Sequence, residues 1–390
     1  MDRHHFYRDT WAEIDLDKIS RNIKSFKKHL PDHKIMAVVK ANGYGHGAYQ
    51  IALEALDSGA ELLAVAILDE ALALRRQGIS APILVMNRIR PEYVNLAAEN
   101  EISLTVFQKE WLLEAETYLK ESVRPINIHL KLDTGMGRVG IKEESELLEI
   151  SSYMKQTAVF HIEGVFTHFA TADEWESELF EEQRKRFINH IGLLHETGVK
   201  PTYIHSANSA AGIRKVKGPF NLVRLGISMY GLAPSLELKE SLPFPLEEAF
   251  SLHSELIHVK KLLPGDTVSY GATYTAKEEE WVGTLPIGYA DGWQRRLSPG
   301  ASVLIRGERM PIIGRICMDQ CMVKLPFKVD VGERATLIGT QNANKIQMDE
   351  VAHLAKTINY EIPCLISSRV PRVYVKNGRI SENMNVILNF

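Results

Sequence analysis

Lys34 to Gly47, KIMAVVKANGYGHG, is the stretch whose reading decides the fold. Ile35–Val39 is an unbroken apolar run that delivers Lys40 to a loop containing Gly43, Gly45 and Gly47, interleaved with Asn42, Tyr44 and His46. A short apolar run closed by glycine-rich turn residues reads as a strand buried on both faces entering a βα turn. Glycine lets backbone approach a bound group closely. The C-terminal strand ends of α/β barrels carry the chemistry, so Lys40 stands where such enzymes place reactive groups. There it is either a solvated lysine or, with its pKa lowered from about 10.4 by burial or neighbouring cations, a Schiff-base nucleophile.

Working outward, Leu16, Ile19, Ile23, Phe26 and Leu30 form an apolar stripe at helical spacing that stops at Pro31. Strand-like runs follow at Ile35–Val39, Leu62–Ile67, Ala81–Met86, Ile102–Val106, Ile126–Leu132, Phe160–Thr167, Thr202–His205 and Leu222–Ile227. Helical patterns lie between them at Ala71–Arg76, Glu110–Leu119, Glu143–Tyr153 and Phe180–Glu196. This alternation, over roughly 230 residues, predicts an α/β chain opening with a (β/α)8 TIM barrel. Pro234–Glu248, with three prolines, reads as a link. Beyond it come alternating runs at Leu252–Val259, Trp281–Pro286, Val303–Ile305, Met310–Ile316, Ala335–Ile338 and Val373–Val375, the last turning at Asn377-Gly378. One helical pattern appears there, on Val351, Leu354, Ala355 and Ile358. The expected domains are a barrel over 1–245 and a mostly-β domain over 246–390, with Trp11–Asp15 pairing into the second.

A chain of 390 residues with 45% hydrophobic and 24% charged residues can bury a substantial core. Its net charge of −3 supplies no electrostatic footprint for nucleic acid or an anionic membrane. The N-terminus has no apolar h-region and no membrane-length apolar run follows, which predicts a cytoplasmic protein. Cys317, Cys321 and Cys364 lack metal-ligand company and are expected to be free thiols, the first two packed in a core.

The strand ends supply further candidates. In HLKLDTGMGRVG, alternation sets Leu130 and Leu132 against His129, Lys131 and Asp133, so Lys131 points into the barrel with Arg138 beyond the Gly135/Gly137 turn. A buried lysine needs a partner or neutrality. Pairing with Asp133 or another acid is one solution; carbamylation, which makes the side chain an anion for Arg138, is the other. The sixth run ends at His168, a structural histidine or a site residue. The seventh and eighth end in HSANSAAG, with Asn208 and Ser209, and VRLGISMYG, with Arg224, Gly226 and Ile227. Loops after strands seven and eight are where TIM barrels commonly bind phosphate. The second domain adds SYGATY with Tyr270, PIGYADGW with Tyr289, GRICMDQ with Met318 and Asp319, and INYEI with Tyr360.

These motifs, in this order and nearly end to end, resemble those of the bacterial alanine racemases, fold-type III enzymes dependent on pyridoxal 5′-phosphate (PLP). The resemblance implies PLP held as a Schiff base on Lys40. Tyr44, Ser209, Tyr360 and the Gly226 and Ile227 backbone would then hold the phosphate, with Asn208 and His168 beside the cofactor. Arg138 would support the ring oxygen and the substrate carboxylate, and Arg224 the pyridine nitrogen. An arginine there is a permanent donor and leaves that nitrogen unprotonated, a weaker electron sink than a carboxylate partner provides. Lys131 would be the lysine often found carbamylated. Lys40 would serve D-alanine and Tyr270 L-alanine, with Met318, Asp319 and Tyr289 near the substrate. A homodimer sharing its sites across the interface, and D-alanine supply for the cell wall, are also implied. A serine or broad-specificity racemase, a fold-type III PLP decarboxylase and a non-enzymatic PLP-binding barrel are the rivals.

Overall fold

The computed structural model describes residues 6–119 and 125–388 and divides into two compact units. One comprises Lys18–Gly43 and Ala48–Glu247; the other comprises Met1–Asp17, Tyr44–Gly47 and Glu248–Phe390.

The first unit is a barrel of eight parallel strands: Lys34–Val38, Leu62–Val65, Ile83–Val85, Ile102–Val106, Ile126–Lys131, Phe160–Phe166, Tyr203–His205 and Leu222–Leu225. Every residue of Leu62–Val65, Ile83–Val85 and Ile102–Val106 is buried, because helices cover the outside and side chains fill the inside. The first strand pairs with the second and the eighth. The seventh strand, three residues long, meets the eighth through Asn221 N donating to Ile204 O and Arg224 N donating to Ala207 O. The eighth strand, expected to run to Ile227, ends at Leu225, and after Gly226 the chain turns into a 3-10 helix, Ile227–Tyr230.

The helix Leu16–His29 buries Ile19, Ile23 and Phe26, the stripe read from the sequence. The stretch read as a link is packed rather than free. It carries a short helix, Leu236–Lys239; Glu247 takes a two-pronged bond from Arg21, and Asn22 donates to Glu247 O.

The second unit is mostly β. Among the described residues its large sheet runs His258–Leu262, Glu280–Leu285, Cys321–Leu325, Glu308–Ile313, Ser302–Ile305, Arg334–Gln341, Phe250–Glu255, Thr10–Asp15, Arg372–Lys376, Arg379–Met384, with Asn344–Ile346 beside Arg334–Gln341. Thr10–Asp15 is antiparallel to Phe250–Glu255 and parallel to Arg372–Lys376. The single strand expected over 252–259 is two, since the chain changes partners at Leu256, whose N–H donates to Glu333 O. Two helices stand where one was expected, Met348–Leu354 and Glu361–Leu365; the second is disguised by Pro363, which an opening helical turn tolerates. All three cysteines are free; only Cys321 is buried, while Cys317 is half-buried and Cys364 exposed. No helix among the described residues is long and apolar enough to cross a membrane.

Candidate active site

Lys40 opens a turn in which Ala41, Asn42, Gly43 and Tyr44 have φ of 52°, 53°, 60° and 51°. Left-handed backbone costs an L-residue about 1 kcal/mol, so three such non-glycine residues persist only because neighbours hold them. Ala41 N donates to Glu70 Oε1 at 2.6 Å, Gly43 N to Val39 O at 2.8 Å, and Ala48 N to Asn42 Oδ1 at 3.0 Å. The other Glu70 oxygen accepts from Ala66 N and Ile67 N. Glu70 was not singled out in the sequence; its only signal is an acid in the first turn of the helix Leu68–Arg76. Glu70→Ala is expected to lower stability by about 2 kcal/mol, the worth of hydrogen bonds to a charged acceptor. Urea unfolding checks this, and an unchanged midpoint would show that Glu70 does not brace the turn.

Lys131 points inward as alternation predicts: it is 3% exposed and its Nζ lies 4.8 Å from the centre of the Phe166 ring. Burial, then the charges of Arg224 and Arg138, lower its pKa to about 7 against a small opposing pull from Asp133. The Lys131–Asp133 pairing does not form. Asp133 Oδ1 instead accepts from Gly135 N and Gly137 N at 3.1 and 3.0 Å. The loop closes where Asp133 N donates to Ile141 O and Ile141 N to Lys131 O. Gly140 is required there, at φ 141°, since a Cβ would sit 2.5 Å from Asp133 N. Arg138, within this loop, is exposed.

Arg224 is 3% exposed and has no carboxylate partner among the described residues. Its Nη1 donates to His205 Nδ1 and His205 O, both at 3.0 Å. Its Nη2 donates to Thr167 O at 2.8 Å, Ser206 O at 3.0 Å and His168 Nδ1 at 3.2 Å. Burial, then Arg138, lower its pKa to about 9, which leaves it cationic at neutral pH. A guanidinium only donates, so His168 and His205 both present a bare Nδ1. Burial and the Arg224 charge push both histidines well below the usual imidazole range. Lys40, Lys131 and Arg138 also act on His168, so these four cations gather around one neutral imidazole. His205 was not singled out in the sequence.

Ser209 begins the short helix Ser209–Ile213, and the Asn208 side chain caps it by accepting from Ala211 N at 3.0 Å. Ser209 Oγ accepts from Gly226 N at 3.1 Å and from Ser228 N at 3.4 Å, which ties the seventh and eighth loops together. With its lone pairs engaged, its O–H is left to donate. Among the described residues the buried hydroxyls of Ser206 and Ser228 have no hydrogen-bond partner.

In the β unit, the rings of Tyr44 and Tyr360 lie 6.4 Å apart. Burial, then Cys364, raise the Tyr44 pKa, so its hydroxyl is a donor and not a base. The hairpin Thr267–Val268/Tyr274–Thr275 packs through Val268 into a cluster with Leu262, Val282 and Ile313 and carries Tyr270 in its turn, 72% exposed. Ser269 Oγ fixes that turn by donating to Arg315 O at 2.6 Å. Tyr289 N and Ala290 N donate to Cys317 O and Met318 O, both at 3.0 Å. Gly288 permits this approach, since a Cβ would lie 2.3 Å from each of those carbonyl oxygens. Tyr289 and Met318 are 43% and 53% exposed. Asp319 Oδ1 accepts from Arg369 at 2.8 Å, and Arg8 grips the buried Asp291 with both terminal nitrogens. Arg8, Asp291 and Arg369 also escaped sequence reasoning. Among the described residues no His/Cys/Asp/Glu cluster could hold a metal ion.

The barrel loops therefore suit an anionic group with an acceptor nitrogen. Among the described residues no hydrogen bond is made by Arg224 Nε and no acceptor meets the Ser209 O–H, and the charges of Arg224, Lys131, Arg138 and Lys40 converge on His168, against which Arg224 Nη2 lies. A phosphorylated pyridine aldehyde fits this donor set, with Lys40 as the amine.

Comparison with known proteins points the same way. Residues 14–234 match the family "Alanine racemase, N-terminal domain", and residues 249–374 match "Alanine racemase, C-terminal domain". The chain is 55% identical to an alanine racemase of Geobacillus kaustophilus over 98% of each sequence. It is similar to the crystal structure of an alanine racemase from Bacillus anthracis with bound L-Ala-P, at a TM-score of 0.95 and 49% identity, covering 99% of this chain and 100% of that one. A histidine racemase from Leuconostoc mesenteroides also matches, at a TM-score of 0.88 and 31% identity over 95% of this chain and 99% of that one.

Proposed function

The chain belongs to the alanine racemase family, and from that premise we propose that it interconverts L- and D-alanine with PLP by a two-base mechanism. The observation that carries the reading is Arg224: a buried cation that has, among the described residues, no carboxylate partner and no acceptor for its Nε–H, and that shares His168 with the charge of Lys40.

PLP, when bound, supplies an electron-withdrawing ring that acidifies the α-proton of an amino acid attached to it. The chain's residues do the rest. Tyr44, Tyr360 and the Ser209 hydroxyl, with the Gly226 and Ile227 backbone, hold the phosphate. Asn208 acts through the helix it caps. Arg224 would hold the ring nitrogen as a donor and, unable to give up its proton at neutral pH, would leave the ring a moderate electron sink. That favours return of the proton over loss of CO2. Arg138 pairs with the substrate carboxylate; Met318, Asp319 and Tyr289 line the substrate's surroundings, and Tyr360 limits side-chain size.

Inversion needs an acceptor on each face of Cα, because one base returns the proton to the side it left. Lys40 Nζ takes the proton of D-alanine and Tyr270 the proton of L-alanine. Tyr270, Tyr289 and Met318 expose apolar surface, a pattern that marks interfaces. On our reading a second copy of the chain covers them, and each site is completed by its partner. D-alanine supply for peptidoglycan is the corresponding cellular role.

Lys131, with a pKa near 7, has a neutral amine fraction able to attack CO2. The N–C bond forms, an electron pair moves to oxygen, and nitrogen releases a proton. The product is an anion beside Arg138 in place of a repelling cation. Protein incubated with 13C-bicarbonate is expected to show one carbamate resonance that Lys131→Met lacks; its absence from the wild type overturns the modification.

The histidine racemase neighbour makes another amino-acid substrate the second reading. Chiral analysis of alanine, serine and histidine, with CO2 release measured alongside, tests the function. Racemisation of alanine well above the others is expected; decarboxylation, or preference for histidine or serine, would refute the assignment.

A further inference from the structure

A chain of four side chains runs through the barrel interior away from Arg224. Arg224 Nη1 donates to His205 Nδ1 at 3.0 Å, and His205 Nε2 lies 2.9 Å from His129 Nδ1. His129 Nε2 in turn lies 3.1 Å from Glu163 Oε2. Arginine can only donate, so the first link fixes every other proton. His205 carries its proton on Nε2 and donates to His129 Nδ1, and His129 therefore carries its proton on Nε2 and donates to the carboxylate. Every hydrogen bond points from the cation toward the anion.

The fold is built around this chain. His129 and His205 are fully buried, with Phe166 stacked on His205 at 4.8 Å. The fifth and sixth strands slip register beside His129, and residue 164 is glycine where a Cβ would lie 2.3 Å from His129 Nδ1. Glu163 also accepts from Ser103 Oγ at 2.9 Å and Asn127 Nδ2 at 3.2 Å. Its end opens into a cavity of about 280 Å³ lined by Ser103, Asn127 and Glu163 among others. Burial opposes its charge, yet the His129 and Ser103 hydrogen bonds outweigh that and hold the carboxyl below its ordinary pKa.

We propose that Glu163 is a positioning residue for the reaction: through His129 and His205 it fixes the tautomers that aim Arg224 at the cofactor ring. The proposal rests on the PLP reading. A second proton on His129 would sit on Nδ1 and face the His205 N–H, and turning His205 over would set its N–H against Arg224. The ionised Glu163 draws the one-way order into place and polarises His205 Nδ1 as an acceptor, which locks the guanidinium plane. Removing the carboxylate charge loosens the donor on the ring nitrogen without touching the cofactor.

The test combines 15N-histidine NMR with the visible spectrum of the holoenzyme, in wild type and in Glu163→Gln, whose amide oxygen can still accept from His129. In wild type, both histidines are expected as neutral Nε2–H tautomers. In the variant, the His205 Nδ1 resonance and the cofactor band are expected to shift, with kcat about tenfold lower and KM within about twofold. Either histidine found as Nδ1–H or doubly protonated in wild type overturns the proposal, whether or not the variant folds. So does a variant whose spectra and kcat match wild type. A wild type with no visible band sinks the PLP reading instead, while the tautomer measurement still judges the relay.

Discussion

Lys40→Ala is expected to lose racemisation in both directions, by at least about 10⁴-fold, and with it the visible band of the holoenzyme. The size follows from two duties resting on one amine. Lys40 is the anchor for the cofactor and the acceptor for one face of Cα, and the cluster around it holds no other candidate for both. Lys131 faces the barrel interior beside Phe166, and Arg224 remains protonated at neutral pH. The substitution spares the hydrogen bonds of Ala41, Asn42 and Gly43 that define the turn, so the variant should fold. Activity and absorbance of purified variant and wild type settle the matter. A variant retaining even a hundredth of wild-type turnover would show that Lys40 is not the anchor.

Gly45→Ala is expected to be the most damaging single methyl in the β unit. Gly45 has φ of 81°, and a Cβ there would lie 2.0 Å from Pro363 O and 2.6 Å from its carbonyl carbon. The obstacle is backbone inside the helix Glu361–Leu365, so no rotamer change relieves it. Arg372 holds the same contact closed, donating from Nε to Gly45 O at 3.1 Å and from its terminal nitrogens to Ile366 O, Ser367 O and Val370 O. Relief requires Tyr44 and Tyr360, on either side of the contact, to part. A loss of about 4 kcal/mol is expected in urea unfolding, at the high end for single substitutions. Gly59→Ala is the control, since Gly59 has φ of 103° and nothing within 4 Å of its Cβ position. Its loss should stay near 1 kcal/mol, from backbone strain alone. Equal losses in the two variants would show that the close approach to Pro363 carries no weight.

What was legible in the sequence divides along physical lines. Barrel strands buried on both faces appear as unbroken apolar runs, which is why Ile102–Val106 was bounded to the residue. The inward aim of Lys131 followed from alternation alone. Cys321–Leu325 was not bounded as a strand because it is short, with only Cys321, Val323 and Leu325 buried and alternating with Met322 and Lys324. The left-handed turn after Lys40 was also hidden, since it falls on Ala41 and Asn42 and is enforced by Glu70, 29 residues away in the chain. The same holds for the histidine relay, whose members lie 76 and 34 residues apart and meet only because the barrel curls. Glycines at 164 and 288 carried no local signal of the close approaches they permit. Sequence pattern reports periodicity and local backbone preference; contacts made across the barrel leave no trace in either.

The measurement that tests the two-base claim most directly is exchange of the Cα proton for solvent deuterium, starting separately from L- and D-alanine, in wild type and Tyr270→Phe, followed by NMR and chiral analysis. Tyr270 sits in an exposed hairpin turn anchored through Ser269, so losing its hydroxyl should leave the fold and the bound cofactor intact. Wild type is expected to exchange and interconvert both enantiomers, while Tyr270→Phe continues to exchange D-alanine through Lys40 and nearly stops exchanging L-alanine. Equal loss from both enantiomers, or no loss from either, would contradict an assignment of one base to each face.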